Sequence, residues 1–419
     1  MDSKIDLVGN ENKGKKAEYF VYNEALITNQ STEDYIEPKS DHFETYERIH
    51  SLNLVFGSVV GLKVDPFWKY NNLTRWTFFL LNFSTAMTVY SMILVKTDPS
   101  KLIETASIVG IIIPAFAKFD VMLNYSRNAL ALVDFLEHVF KNIVDGPKAK
   151  LLKTHIDETF VSIKICLLVE TLALLLFLCY PVYAYVNNDE LVQLIPMQFP
   201  FIDQSNTTGF IIANMIMVKL GLWAFTGSVG FDLYLARLID SYCALVKLLQ
   251  YDIIEFAEMS REGSGVSRHY RKTFLRNFLL KCQDKDRFIQ NINDVYADVI
   301  FKQFSCVYMS MVFTIYAIIR NKWYSGFGIV VFFLVEIYIL CFLGTTIKNE
   351  NDKFCHAIYD MPWYDYSLSE QRIIQILLHS SQNTMELWIG VFAPLNVETA
   401  VEITKSIYST STMIMNTSE

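Results

Sequence analysis

Charge is scarce in this chain. Of 419 residues only 19% are Asp, Glu, Lys or Arg, against 52% hydrophobic and 14% aromatic, which is too little charge to cover a soluble protein of this length. No basic patch stands out, since 36 Lys and Arg face 44 Asp and Glu for a net charge of −8, so nucleic acid is not an expected partner. The seven cysteines are scattered, with no CxxC pair and no metal-ligand spacing; they read as apolar fillers, and no metal is expected. All seven histidines lie outside the long apolar runs. There is no HExxH, no haem-ligating histidine pair and no serine-centred nucleophile elbow, so no catalytic residue, cofactor or enzymatic activity is expected. The opening MDSKIDLVGNENKGKK lacks the apolar core and small-residue cleavage site of a secretory signal. Neither an internal repeat nor a pair of broken half-helices speaks for a transporter.

What the chain does have is long apolar runs. Six extend over Trp76–Val95, Leu102–Asn124, Val161–Ala184, Gly209–Phe231, Val295–Ile318 and Phe327–Ile347, each about 20 to 24 residues, the length needed to cross ~30 Å of hydrocarbon as a helix. A seventh, Pro394–Met415, is long enough to cross but carries Glu398, Glu402, Lys405 and a run of Ser and Thr, too polar to face lipid alone. On a helical wheel Glu402, Ser406, Ser409, Met413 and Thr417 share one face. That face suits a pore lining narrowed by Met413. It also suits a last helix whose hydroxyls bond to neighbouring helices in a bundle.

Lys and Arg set the orientation. Counted near the spans, twenty-one lie in 63–75 before the first span and in the loops two–three, four–five and six–seven, whereas the alternate loops hold four, so the N-terminus is expected inside and the C-terminus outside. The expected fold is an all-α membrane protein of seven transmembrane helices with a cytoplasmic helical anchor. Its parts are a cytoplasmic segment with an interfacial helix (1–75), spans one to four (76–231), anchor helices (232–294), spans five and six (295–347), further anchor helices (348–393), and the seventh span with a short outer tail (394–419). Apolar residues recur at helical spacing over Asp232–Met259, a break follows at Glu262–Gly265, and a helix from Tyr270 leads back into span five. Ser367 and Glu370 stand at capping-box spacing before another short helix. Of the charges inside spans, Lys118, Asp120, Lys164, Asp298 and Lys302 lie near cytoplasmic ends and can snorkel. Glu170, Lys219 and Glu336 fall near mid-membrane, so Lys219 is expected to pair with either glutamate as a structural ion pair.

In PLNVETAVEITKSIYS the residues Pro394, Leu395, Glu398, Thr399, Ile403, Lys405, Tyr408 and Ser409 resemble the C-terminal signature of insect odorant receptors. Gly344, Glu350, Ala357, Tyr359, Trp363 and Tyr364 match that family's pattern around the end of span six. The motifs cover about the last 80 residues; the rest agrees in length, span number and topology. This resemblance implies a multi-pass plasma-membrane protein of olfactory neuron dendrites, a tuning subunit that assembles with a co-receptor into a tetrameric, odorant-gated, nonselective cation channel whose pore is lined by span seven. It also implies a pocket for a small volatile between spans two, three, four and six. The residues expected there are Thr105 and Val109, Leu176 and Tyr180, Ile212, Met215 and Ile216, and Phe327 and Val330. A gustatory receptor of the same superfamily is the nearest alternative. A G-protein-coupled chemoreceptor is opposed by the inverted orientation and by the lack of DRY and NPxxY motifs.

The orientation makes a direct prediction. Sequons begin at Asn29, Asn72, Asn82, Asn124, Asn206 and Asn416, of which only Asn206 and Asn416 lie outside. Endoglycosidase-sensitive mass should therefore vanish when those two are changed to Gln, and glycan on any other site would reverse the topology.

Overall fold

The computed structural model describes residues 41–61, 72–124, 126–143, 146–188, 192–261, 267–383 and 385–417. The described residues are nearly all in helices. In order these are α1 (Asp41–Val60), α2 (Asn72–Leu94), α3 (Pro99–Ala106), α4 (Val109–Asn124), α5 (Ser126–Lys141), α6 (Pro147–Asn188), α7 (Thr207–Arg261), α8 (Arg268–Asn321), α9 (Gly326–Tyr359), α10 (Leu368–Gln382) and α11 (Val397–Thr417). Six stretches, carried by α2, α3–α4, α6, α7, α8 and α9, are long and apolar enough to cross a membrane. The seventh, α11, is a 21-residue helix whose polarity sets it apart.

The second span is not one helix. Asp98 caps α3 by accepting from the Lys101 N–H, Pro99 fills the first turn, and the chain bends at Ser107 before α4 begins. The Ser310 hydroxyl of α8 donates to the Ser107 carbonyl, which gives a polar group at the bend a partner inside the bundle. Gly110 lies so close to Ser310 and the Cys306 carbonyl that a Cβ would collide with both. The loop between spans two and three also contains a helix of its own, α5, that the sequence pattern did not reveal.

Below the membrane region, α7 (55 residues) and α8 (54 residues) continue without interruption. The expected break at Glu262–Gly265 lies outside the described residues. Aromatic rings fill the space between the extensions: Phe256 stacks on Phe274 at 4.0 Å, and Phe278, Phe288 and Phe354 are buried around them. Helix α10 closes this assembly. Ser367 caps it and Glu370 completes the capping box, accepting from the Ser367 N–H at 2.8 Å and hydroxyl at 2.5 Å. Arg271 of α8 donates to the same carboxylate at 3.2 Å, which joins α10 to α8. A two-stranded hairpin, β1 (Trp388–Ile389) with β2 (Ala393–Pro394), then turns the chain into α11. Gly344 of α9 is where that turn docks, because a Cβ there would strike the Leu395 carbonyl oxygen.

Burial of Glu370 acts to raise its carboxyl, but the Ser367 bonds and the Arg271 guanidinium outweigh it and hold the group below the usual carboxylate range. A depressed folded value stabilises α10 above the unfolded carboxylate range and is lost as pH falls through the folded value. Hydrogen exchange of 368–382 in detergent, expressed as protection factors so that the intrinsic pH dependence of amide exchange is divided out, should therefore lose protection on acidification. In Glu370→Gln it should be faster at neutral pH, by about 1–3 kcal/mol of lost protection, and insensitive to acid.

Candidate functional site

A cavity of about 160 Å³ opens within the helix bundle. Its walls come from α2 (Leu80, Leu81, Ser84), α4 (Ile111, Pro114, Ala115), α6 (Ala173, Phe177), α7 (Met217, Trp223, Ala224, Phe225), α8 (Val307) and α9 (Gly328, Ile329, Phe332). Ile195 and Met197, from the segment before α7, complete the lining. Gly328 lets α9 approach α6, since a Cβ there would meet the Phe177 backbone. The lining is aliphatic and aromatic, and its size compares with the ~150 Å³ apolar cavity that stays dry and holds a benzene-sized guest.

One part of the wall is charged. The Lys118 ammonium of α4 donates to both oxygens of Asp232 on α7 at 2.9 and 2.8 Å, to Glu336 Oε1 on α9 at 2.8 Å, and to Ser228 Oγ at 2.8 Å. Ser228 in turn donates to Glu336 Oε1 at 3.2 Å. Lys118 is only 4% exposed. It is therefore no snorkelling residue, and it takes the place expected for Lys219. Lys219 is exposed and joins no ion pair among the described residues, while Glu170 is buried on α6 without an ion-pair partner. Counting residues gives a charge its depth in a membrane helix but not its azimuth, and azimuth decides which cation meets which carboxylate. Ser228 and Glu336 both line the cavity, so the cluster forms one end of it.

None of the nine residues expected in the pocket lines this cavity. Thr105 is buried, but its hydroxyl is satisfied by the Lys101 carbonyl at 2.9 Å within α3. Val109 and Ile216 are half-buried away from the cavity, as is Val330. Leu176, Ile212, Met215 and Phe327 are exposed, Met215 at 68%. Tyr180 packs edge-on against Tyr324 at 5.8 Å, outside the cavity. The helices named for the pocket, α4, α6, α7 and α9, do bound it; the residues differ by one to a few positions. Lipid tails are as apolar as a bundle interior, so both faces of such a helix read alike. Two signals did mark the inner faces: Pro114 with Gly110 in α4, and the ionisable residues Lys118 and Glu336.

The second feature is the exposed side of α11. Ala400, Ile407 and Ser411 are buried, whereas Glu402, Lys405, Ser406, Ser409 and Met413 are exposed, Met413 at 68%. The Thr417 side chain lies outside the described residues. Tyr308 of α8 shares hydrogen bonds with Ser406 at 3.0 Å and Thr410 at 2.7 Å, so Ser406 stands at the border of the open face. The Val397 N–H donates to Thr345 Oγ1 of α9 at 3.0 Å, fixing the start of α11.

The sequence profile described as 7tm Odorant receptor matches residues 98–408. The chain belongs to the odorant receptor family. It is 22% identical over 395 residues to putative odorant receptor 83c of Drosophila melanogaster, covering 90% of this receptor and 98% of that one. It is 24% identical over 199 residues to odorant receptor 47a of the same species, covering 45% and 49% of the two chains. Its fold matches the insect olfactory receptor OR5 from Machilis hrabei in complex with eugenol with a TM-score of 0.75 over 90% of this chain and all of that one, at 13% identity. A further structure of the same Machilis hrabei receptor gives a TM-score of 0.71 at 12% identity, covering 90% of this chain and 99% of that one. The receptor is thus a multi-pass membrane protein that binds odorants, and it is not an enzyme.

Removing the ammonium from the buried cluster leaves two carboxylates facing each other. Lys118→Met should cost about 3–5 kcal/mol and abolish surface delivery, whereas Lys219→Met should reach the surface at the normal level. Surface labelling of the two variants decides it, and equal delivery would remove the cluster's structural role.

Proposed function

We propose that this receptor is a tuning subunit of an odorant-gated, nonselective cation channel. It assembles with a co-receptor subunit into a tetramer, and α11 of each subunit lines a common pore. The observation that carries this reading is the one-sided packing of α11. Its exposed face holds Glu402, Ser409 and Met413, and Ser406 borders it; such a face is costly against lipid and suited to water and cations. Met413 is the apolar constriction. A ring of thioether side chains narrow enough to dewet blocks a cation, because the ion would have to shed its hydration there.

The odorant site is the cavity bounded by Ile111, Phe177, Met217, Ala224 and Phe332. Its apolar lining selects by shape and dispersion, and the eugenol complex of the Machilis hrabei receptor shows that a protein of this fold accepts a small aromatic guest. The ligand opens the pore only through a higher affinity for the open state. Helix α9 runs from the cavity wall at Ile329 and Phe332 to the seat of α11 at Gly344 and Thr345, so movement at one end bears on the other.

Voltage-clamp recording from cells expressing the receptor with a co-receptor tests both halves. Met413→Ala should raise current in the absence of odorant, and Ala224→Phe, which fills the cavity, should lower odorant sensitivity by tenfold or more with normal surface delivery. Unchanged basal current would remove Met413 as the gate, and unchanged sensitivity would move the site elsewhere.

A further inference from the structure

The cavity is closed at both ends. On the inner side it stops at Ser228 and Glu336, which the Lys118 cluster holds in place. On the outer side it is covered by Ile195 and Met197, both buried. Hydrogen bonds tie that cover to its neighbours: the Leu194 N–H donates to Asn214 Oδ1 of α7 at 2.9 Å, the Gln198 N–H to Ser91 Oγ of α2 at 2.7 Å, and the Trp323 indole N–H to the Gln193 carbonyl at 3.4 Å. A guest arriving from the water outside would have to part several of these. The side walls are unequal. Phe177, Val307, Gly328 and Ile329 of α6, α8 and α9 are buried. Where those walls are partly exposed, at Leu174 and Phe332, Phe225 of α7 packs across Phe332 at 5.9 Å. By contrast Leu80, Leu81 and Ser84 of α2 and Leu220 and Ala224 of α7 line the cavity and are all partly exposed.

The way α2 is held explains the opening. Its buried residues are Thr74 and Thr77 near one end and Thr88 and Ser91 near the other. Thr74 and Thr77 donate to the Gly61 and Val60 carbonyls at 2.7 and 2.5 Å, and Ser91 accepts from the cover. No residue from 78 to 87 is buried, and the Asn82 amide and the Ser84 and Thr85 hydroxyls are satisfied by carbonyls of α2 itself. The helix is thus pinned at its ends and loosely packed between them, along the stretch that faces the cavity. We propose that odorants enter this cavity from the hydrocarbon of the membrane, through a window between the middle of α2 and the Leu220–Ala224 stretch of α7. Both stretches lie near the centre of their spans, at the depth where lipid tails surround the bundle. An apolar volatile is driven out of water into those tails before it binds anything. A side window therefore meets it where it is most concentrated, and the receptor serves lipophilic volatiles. The inference rests on the cavity being the odorant site. Window and pore face belong to different helices, since α11 is seated on α8 and α9.

A cysteine inside the cavity tests the path without any odorant. With the Met217→Cys receptor in lipid nanodiscs, modification of position 217 is followed by peptide mass spectrometry, which separates it from the native cysteines. Uncharged benzyl methanethiosulfonate should modify the position. The charged sulfonatoethyl reagent, confined to water, should react at least about tenfold more slowly relative to its rate with a small thiol in solution. Ser84→Trp should slow the benzyl reaction several-fold, and Leu220→Trp should do the same from the facing helix. Asn214→Leu, which removes a bond of the outer cover, should leave it unchanged. Absence of benzyl modification, equal relative rates with the two reagents, a rate unaltered by both tryptophan variants, or acceleration by Asn214→Leu each overturn the window. In recordings of odorant-evoked current, Ser84→Trp should slow onset and washout alike and leave the half-maximal concentration unchanged, because an obstacle in a passage is met in both directions. A raised half-maximal concentration with unaltered washout overturns the window too. Ala224→Phe keeps the two readings apart: sensitivity that survives it refutes the cavity as odorant site, while a benzyl rate indifferent to both tryptophan variants refutes only the window.

Discussion

An ammonium group held between two carboxylates inside an apolar bundle is the constraint around which this receptor is arranged. Taking such charges out of water costs several kcal/mol per ion unless the geometry is good and the remaining donors are used. Here Lys118 meets Asp232, Glu336 and Ser228 at 2.8 to 2.9 Å. A slide of α4, α7 or α9 by one turn would strand a buried charge, so the cluster fixes the register of three helices that apolar packing alone would hold loosely. The Lys118 ammonium also lies 5.4 Å from the Phe231 ring centre, on its electron-rich face. Because Glu336 and Ser228 belong both to this cluster and to the cavity lining, the element that holds the bundle in register also shapes the cavity.

Helix α9 extends that constraint to the polar helix. Over 34 residues it carries Gly328 against α6, Glu336 in the cluster, and Gly344 under Leu395. Tyr338 lies 3.5 Å from Thr404 of α11, and Thr345 accepts the Val397 N–H. Each glycine is needed where the neighbouring backbone comes too close for a side chain. Helix α11 is therefore positioned by close backbone contact at its base and by Tyr308 higher up, with its other side exposed. Its own sequence contributes a capped, well-formed helix; its placement comes from α8 and α9.

The cytoplasmic extensions follow a different logic. There the apolar stripes of α7 and α8 meet ordinary water on one side, so the hydrophobic period is visible and the aromatic core it predicts is present around Phe256, Phe278 and Phe354. The Ser367–Glu370 pair is similarly readable, because a capping box depends on residues three apart in sequence and on little else. In the membrane region that readability fails. The bend at Ser107 depends on Ser310, about 200 residues away, and no local pattern around Leu102–Asn124 announces it.

The sequence by itself determined that the chain is a seven-span membrane protein, its orientation, the anomalous polarity of its last helix, and its family signature at 344–409. Each of these follows from composition, from charge between spans or from short-range spacing. Only the tertiary structure decided which wall of each span faces the cavity, that Lys118 rather than Lys219 meets Glu336, and that Trp223 and Ser228 line the cavity while Met215 and Ile216 do not. The physical reason is that oil surrounds these helices as well as filling the space between them. Hydrophobicity therefore marks depth along a span but not direction around it, and direction is set by contacts between residues far apart in the chain.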